Sequence, residues 1–167
     1  MSPGSRGVGV AVMSEVMSVD CGFDWEDTYL LGYPAMDDTH REFVTCVDTL
    51  LRADDDTLPA ALDALTRHAL RHFDEERAWM DSGGPGNAFP ARDCHVDEHE
   101  KVLASLREVQ ERVAGGERQI ARELGQALKD WFPGHTDYMD SALSQWLCKR
   151  AFGGKPLVLK RLNLKST

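Results

Sequence analysis

The 167-residue sequence has no closely spaced cysteine pair and no long apolar run. Cys21, Cys46, Cys94 and Cys148 are widely scattered, a spacing unlike that of a zinc knuckle or a small secreted disulfide scaffold. We therefore expect reduced thiols. No apolar stretch approaches the roughly 20 residues that cross a bilayer, so no membrane span is predicted.

The N-terminal segment also lacks the features of an export signal. Its VGVAV stretch is too short for the core of a signal peptide, and Arg6 is the one basic residue before it. We expect a cytoplasmic protein. Residues 1–21 have no hydrophobic period and are expected to form a flexible segment.

Basic charge is scarce in the body of the chain and concentrated at its end. Residues 21–148 hold 26 acidic and 12 basic side chains, whereas residues 149–167 hold six basic and no acidic ones. Because phosphate contacts dominate affinity for nucleic acids, the acidic body argues against a nucleic-acid-binding protein. The basic tail at 149–167 could contact a protein partner or the acidic body, although such tails are more often solvated.

Hydrophobic residues recur at spacings of three and four over most of the chain, which predicts helices. The aromatic segment 22–36 contains glycine and proline and predicts an ordered arm that is not helical. Four amphipathic helices are expected, starting at Asp37 or Asp38, after Thr57 as N-cap, near Asp93 and near Glu117. Their connections are short, and no strand pattern is present. We predict an all-α fold, an up-down-up-down four-helix bundle over residues 22–148 with an N-terminal arm and a C-terminal extension.

Metal-binding side chains interrupt the apolar faces of all four predicted helices. A lone histidine in such a face is more often a hydrogen-bonded core residue than a ligand, but a lone buried carboxylate needs a cation. Five histidines and two carboxylates from four helices are too many for ordinary pairing. A metal centre accounts for them, because it accepts imidazole lone pairs and supplies positive charge. The candidate ligands are His40, His72, Glu76, His95, His99, His135 and Asp140.

The number and spacing of these ligands indicate the kind of centre. Seven protein ligands exceed the four to six that one ion needs, so two ions sharing bridging carboxylates fit. Imidazole and carboxylate without thiolate favour iron or manganese. The HxxxE motif at His72 and the HxxxH motif at His95 each place two ligands on one helix face. The HxxxxD motif ending at Asp140 spaces its ligands about 140° apart on a regular helix, so a π-bulge near Pro133 and Gly134 is expected.

The order of one His, HxxxE, HxxxH and HxxxxD resembles the hemerythrin family, especially its single-domain bacterial members. The segments AMDDTHREFV, HFDEERAWM, FPARDCHVDEH and WFPGHTDYMD are similar to family segments, and the resemblance extends from about Phe23 to Leu147. It implies a non-haem di-iron site that binds O2 reversibly, for transport, storage, delivery or sensing, in a protein that is not an enzyme. The implied cofactors are two Fe ions with an oxo or hydroxo bridge, and the implied ligand is O2.

The resemblance also implies a role for each ligand. His95, His99 and His135 would bind one iron. His40 and His72 would bind the other, which would keep an open position for O2. Glu76 and Asp140 would bridge the two irons. Bulky side chains could line a dry O2 pocket that limits proton access. The candidates for this cofactor-binding pocket are Phe132, Trp131, Phe43, Phe73 and Val102.

Two features depart from the family pattern. Pro133 and Gly134 are unusual in the helix that carries His135. His68 stands where an aromatic residue such as tyrosine is expected. Because His68 lies at the edge of the apolar face, we expect it to face solvent, with hydrogen bonding behind the ligands as the alternative.

Other functions fit the pattern less well. Di-iron redox enzymes such as an oxidase, a peroxide reductase or a nitric oxide reductase typically use ExxH pairs and four glutamates, whereas this chain uses histidine-rich pairs. HVDEH resembles an inverted zinc-peptidase motif with Glu98 as base, but that would leave five candidate ligands unexplained. A metal-free bundle would leave buried charges unpaired. The pattern does not indicate an oligomeric state.

Overall fold

The computed structural model describes residues 22–154, 156 and 158. Within them the chain is helical and contains no strand. A short 3-10 helix spans Asp27–Tyr29, and the longer elements are α1 Pro34–Arg52, α2 Leu58–Asp81, α3 Arg92–Ala114, α4 Gln119–His135, a π-helical turn Thr136–Asp140 and α5 Ser141–Phe152. The predictions for residues 1–21 and for most of the basic tail lie outside the described residues.

Helix α4, the π-helical turn and α5 form one continuous helix, because Thr136 and Ser141 at the two junctions keep right-handed helical dihedrals. This helix packs on α1 and α3, and α2 packs on the same two helices. Successive neighbours are joined by short connections, which is the up-down-up-down arrangement. The predicted all-α four-helix bundle is confirmed. No helix in the described part of the chain is long and apolar enough to cross a membrane.

Helix α1 begins three residues before the predicted Asp37. Pro34 stands in its first turn, where its missing N–H costs nothing because the first N–H groups of a helix have no partner within it. Asp37 is therefore not the N-cap, and the arm predicted over 22–36 becomes helical at its end. The buried Asp37 carboxylate instead accepts backbone N–H groups of Leu31 at 2.7 Å and Gly32 at 3.0 Å. These bonds attach the arm to the bundle.

Replacing Asp37 with alanine should detach the arm and lower the free energy of unfolding by about 3–6 kcal/mol, because two hydrogen bonds to a charged group are lost and each contributes roughly 1.5–3 kcal/mol. Chemical denaturation measures this loss. Asp38→Ala is the matched control, since the Asp38 side chain is 75% exposed and pairs with Arg41 on the surface. The control should lose less than about 1 kcal/mol. Equal losses in the two variants would contradict this role for Asp37.

The bundle core consists of two apolar layers with a polar layer between them. Along α1, His40 lies between Met36 of one layer and Phe43 of the other. Along α2, Glu76 lies between Phe73 and Met80 in the same way. The smaller layer contains Leu31, Met36, Met80, Phe89, Leu143 and Leu147. The polar layer is therefore surrounded by dry interior, where uncompensated charge is costly.

The C-terminal helix extends past the predicted bundle boundary at residue 148. Helix α5 ends at Phe152, and Gly153 terminates it with a φ of 73°, a left-handed conformation that glycine adopts without steric cost. Lys149 and Arg150, predicted to begin the basic tail, lie in its last turn, where positive charge is favourable. Among the described cysteines Cys46, Cys94 and Cys148 are free thiols, and Cys21 lies outside that range.

Candidate metal centre

The structure brings all seven predicted ligands into the polar layer. Helix α1 supplies one, α2 and α3 supply two each, and the last two stand at the end of α4 and the end of the π-helical turn. None of the seven is more than 7% exposed. Their donor atoms form two groups, and within each group the atoms lie no more than 4.8 Å apart. The first group contains Glu76, His95, His99, His135 and Asp140, and the second contains His40, His72 and Glu76.

One group centres on three imidazole nitrogens. His135 Nε2 lies 3.2 Å from His95 Nε2 and 3.0 Å from His99 Nε2. Two ligands at right angles, each about 2.1 Å from a shared metal ion, are separated by about 3.0 Å. The three nitrogens are thus spaced as neighbouring ligands of one ion.

The second group is smaller and lies on the α1–α2 side. His72 Nε2 lies 2.8 Å from Glu76 Oε1, and His40 Nε2 lies 3.4 Å from the same oxygen. His40 Nε2 is also 3.2 Å from Asp140 Oδ2. This side therefore combines two imidazoles with one oxygen from each carboxylate.

Each carboxylate faces both groups with different oxygens. While Glu76 Oε1 faces the two-histidine side, its Oε2 lies 3.3 Å from both His95 Nε2 and His99 Nε2. Asp140 Oδ1 lies 3.0 Å from His95 Nε2 and 3.2 Å from His135 Nε2, and Oδ2 faces the other side. This division of oxygens is the arrangement that bridges two cations.

A π-helical turn allows one helix to contribute both His135 and Asp140. The N–H of Ser141 bonds to the carbonyl of Thr136, five residues earlier, which inserts one extra residue into the turn. The predicted π-bulge is present. Pro133 lies inside α4 just before it and cannot donate the usual backbone hydrogen bond. The added residue corrects the angular mismatch of the HxxxxD spacing.

Glu76 and Asp140 place two negative charges in the buried layer, so about two positive charges are needed to balance them. Burial acts to raise the pKa of Glu76, but the adjacent His72 and His40 hold it well below its usual value. Burial also acts to raise the pKa of Asp140, but the adjacent His135 and His40 hold it well below its usual value. Burial acts to lower the pKa of His40, yet Asp140 and Glu76 raise it to about 10, and they similarly raise the pKa of His95 to about 9. The charge of the two buried carboxylates is thus stabilised by the adjacent imidazoles.

Several atoms of the layer make no hydrogen bond to any described residue. They include His40 Nε2, Glu76 Oε2, both carboxylate oxygens of Asp140 and the Nδ1 atoms of His40, His72 and His95. Buried polar atoms are nearly always hydrogen-bonded, so this concentration of unpaired donors and acceptors is unusual. Imidazole nitrogens and carboxylate oxygens are the ligands that divalent iron and manganese accept. The residues present therefore fit a two-metal centre.

The predicted pocket aromatics pack directly on the candidate ligands. Phe73 stacks on the His99 ring with centroids 3.9 Å apart, and Trp131 stacks on the His135 ring with centroids 4.3 Å apart. Phe132 packs edge-on against the His40 ring with centroids 5.4 Å apart, and Phe43 stacks on Phe132 with centroids 5.3 Å apart. Val102 lies in the larger apolar layer. These contacts orient the rings and exclude water, and an O2 pocket formed by these residues stays a prediction.

The expectation that His68 faces solvent is wrong. His68 is 5% exposed, because Phe43 of α1 covers its ring, and it packs against the ring of His72 with centroids 5.5 Å apart. Burial, together with the neighbouring His72 and Arg71, lowers the pKa of His68 to about 4. His68 belongs to neither ligand group. It is a buried packing residue whose Nδ1 lies 3.2 Å from the Arg71 guanidinium.

Sequence analysis did not single out Thr136. This residue directly follows His135, is completely buried, and its hydroxyl has no hydrogen-bond partner among the residues the structure describes. The available signal was its position, four residues after Phe132 and four before Asp140. That spacing places the three residues on one helix face.

Comparisons with known proteins agree with this geometry. The family model for the Hemerythrin HHE cation binding domain matches residues 31–147, which include all seven candidate ligands. The chain is 38% identical over 126 residues to a bacteriohemerythrin of Ralstonia nicotianae, covering 75% of this chain and 89% of that protein. It is 26% identical over 108 residues to a bacteriohemerythrin of Methylococcus capsulatus, covering 62% and 79%. The chain therefore belongs to the hemerythrin family.

Proposed function

We propose that the protein binds O2 reversibly at a centre of two iron ions and is not primarily an enzyme. The asymmetry of the donor set carries this proposal. The three-histidine side has five protein donors, since one oxygen of each carboxylate adds to its three imidazoles. The other side has four, namely His40, His72, Glu76 Oε1 and Asp140 Oδ2. It is one donor short, which leaves a position for an exogenous ligand.

In this proposal His95, His99 and His135 would hold one iron, His40 and His72 would hold the other, and the two carboxylates would be shared between them. An iron pair bound there would supply the electron density that reversible O2 binding needs. The chain contributes five neutral imidazoles and two anionic carboxylates, a less anionic set than the four glutamates of many di-iron enzymes. Such a set stabilises highly oxidised iron less, which favours binding over oxidation of a substrate.

The surrounding residues act by keeping water and protons away. Phe132 covers the His40 ring, and Phe43 stacks behind it. The apolar layers on both sides leave the two-histidine side in a dry environment. These residues would limit the access of protons to a ligand bound there, which favours reversible binding.

The protein purified in air should contain about two irons per chain and have a visible absorption band that disappears on deoxygenation and returns with O2. Metal analysis and anaerobic spectroscopy measure both properties. Protein loaded with zinc should bind ions at the same ligands without that band. One zinc per chain or no metal after aerobic purification would contradict the di-iron proposal. Rapid O2 consumption with added reductants would instead favour the redox enzyme.

A further inference from the structure

The hydroxyl of Thr136 differs from those of the four threonines in α1 and α2. Thr39, Thr45, Thr49 and Thr66 each donate to the backbone carbonyl four residues earlier, at 2.7–2.9 Å. That bond is the usual one for a threonine in a helix. Thr136 makes no such bond, although the carbonyl of Phe132 lies four residues before it.

An unpaired hydroxyl in this position costs stability. Thr136 is 0% exposed, so water does not replace the missing partner from bulk solvent. A valine would fill the same volume without that cost. The presence of a hydroxyl at the first residue of the π-helical turn therefore points to a partner that is not one of the described residues.

The neighbours of Thr136 on its helix identify the side that it faces. One turn earlier, Phe132 packs edge-on against the His40 ring at 5.4 Å. One turn later, Asp140 Oδ2 lies 3.2 Å from His40 Nε2. Thr136 is four residues from each of them on the same helix, which places it beside the two residues through which this helix contacts His40 on the two-histidine side. That is the side with one protein donor fewer.

We propose that Thr136 donates a hydrogen bond to the exogenous ligand held on the His40–His72 side. The inference rests on the proposed function and adds a specificity residue to it. A hydrogen bond to a charged acceptor is about twice as strong as one between neutral groups. Thr136 therefore favours anionic ligands, and O2 once it has gained electron density, over ligands without a good acceptor atom.

Inorganic azide is a suitable probe, because it is a small anion with acceptor atoms. In the oxidised, iron-loaded protein, Thr136→Val should weaken azide binding about 10-fold or more, since a hydrogen bond to a charged group is lost. Thr136→Ser keeps the hydroxyl and should stay within about threefold of the original affinity. Thr66→Val is the matched control, because it removes a buried hydroxyl bonded to the Leu62 carbonyl and should leave azide affinity unchanged.

Thermal unfolding of the metal-free protein gives a readout that does not depend on iron. Thr136→Val should raise the Tm by about 2–4 °C, because an unpaired buried hydroxyl is replaced by a methyl group. Thr66→Val should lower it, because that hydroxyl is paired. A lower Tm in Thr136→Val would show that the hydroxyl already has a partner within the protein and would overturn the inference.

The azide experiment separates failure of this inference from failure of the proposed function. If the unmodified protein binds two irons and azide, and Thr136→Val binds azide equally well, the inference is wrong and the proposed function stands. Failure of Thr136→Ser to restore affinity, or loss of iron from Thr136→Val, also overturns it, since shape or ligand support would then explain the effect. An unmodified protein that binds neither iron nor azide refutes both.

Discussion

Replacing His72 with alanine should leave about one iron per chain and abolish O2 binding. His72 Nε2 lies 2.8 Å from Glu76 Oε1 and is one of two imidazoles on the side that we propose for O2. The substitution reduces this side from four protein donors to three, whereas the three-histidine side keeps all five. Iron analysis after anaerobic reconstitution, followed by spectra under air, measures both effects.

His68→Ala is the matched control for this experiment. His68 lies one turn earlier on α2 and is equally buried, but it belongs to neither ligand group. The control should retain about two irons and the oxygenated spectrum, with a lower Tm because a packed ring is lost. Two irons and normal oxygenation in His72→Ala would refute the assignment of the two-histidine side.

A larger effect on metal binding is expected from Glu76→Gln, which should weaken the binding of both ions by more than about 100-fold. The Glu76 carboxylate belongs to both ligand groups, and its two oxygens face different sides. The amide carries no charge, and its nitrogen cannot replace the second oxygen as a ligand. Titration of the metal-free protein with ferrous iron against a competing chelator would measure the loss.

Glu75→Gln is the control for the Glu76 variant. Glu75 precedes it on α2, but its side chain is half-exposed and lies 3.9 Å from Arg71 on the surface. Iron affinity should be unchanged in this variant. The contrast with His72→Ala is also informative, because loss of a bridging group affects both ions while loss of His72 affects one. Retention of one tightly bound iron in Glu76→Gln would contradict the bridging role.

The helical positions of the ligands were predictable because spacing along a helix sets angular position. Ligands four residues apart, as in His72 and Glu76 or His95 and His99, must share a face. The same reasoning predicted the π-helical turn, since His135 and Asp140 cannot both point inward from a regular α-helix. The start of α1 was less predictable. Asp37 resembles an N-cap in sequence, but Pro34 extends the helix and the carboxylate bonds to the arm instead.

The sequence by itself determined the fold class, the convergence of seven ligands in one layer and the resemblance to a family, because each depends on periodicity and local spacing. The tertiary structure alone decided which oxygen of Glu76 and Asp140 faces which side, that His68 is buried beneath Phe43, and that the Thr136 hydroxyl is unpaired. Side-chain rotamers and the distances between helices depend on packing partners far away in the chain. A spacing pattern specifies the helix face that a residue occupies but not the atom that it contacts.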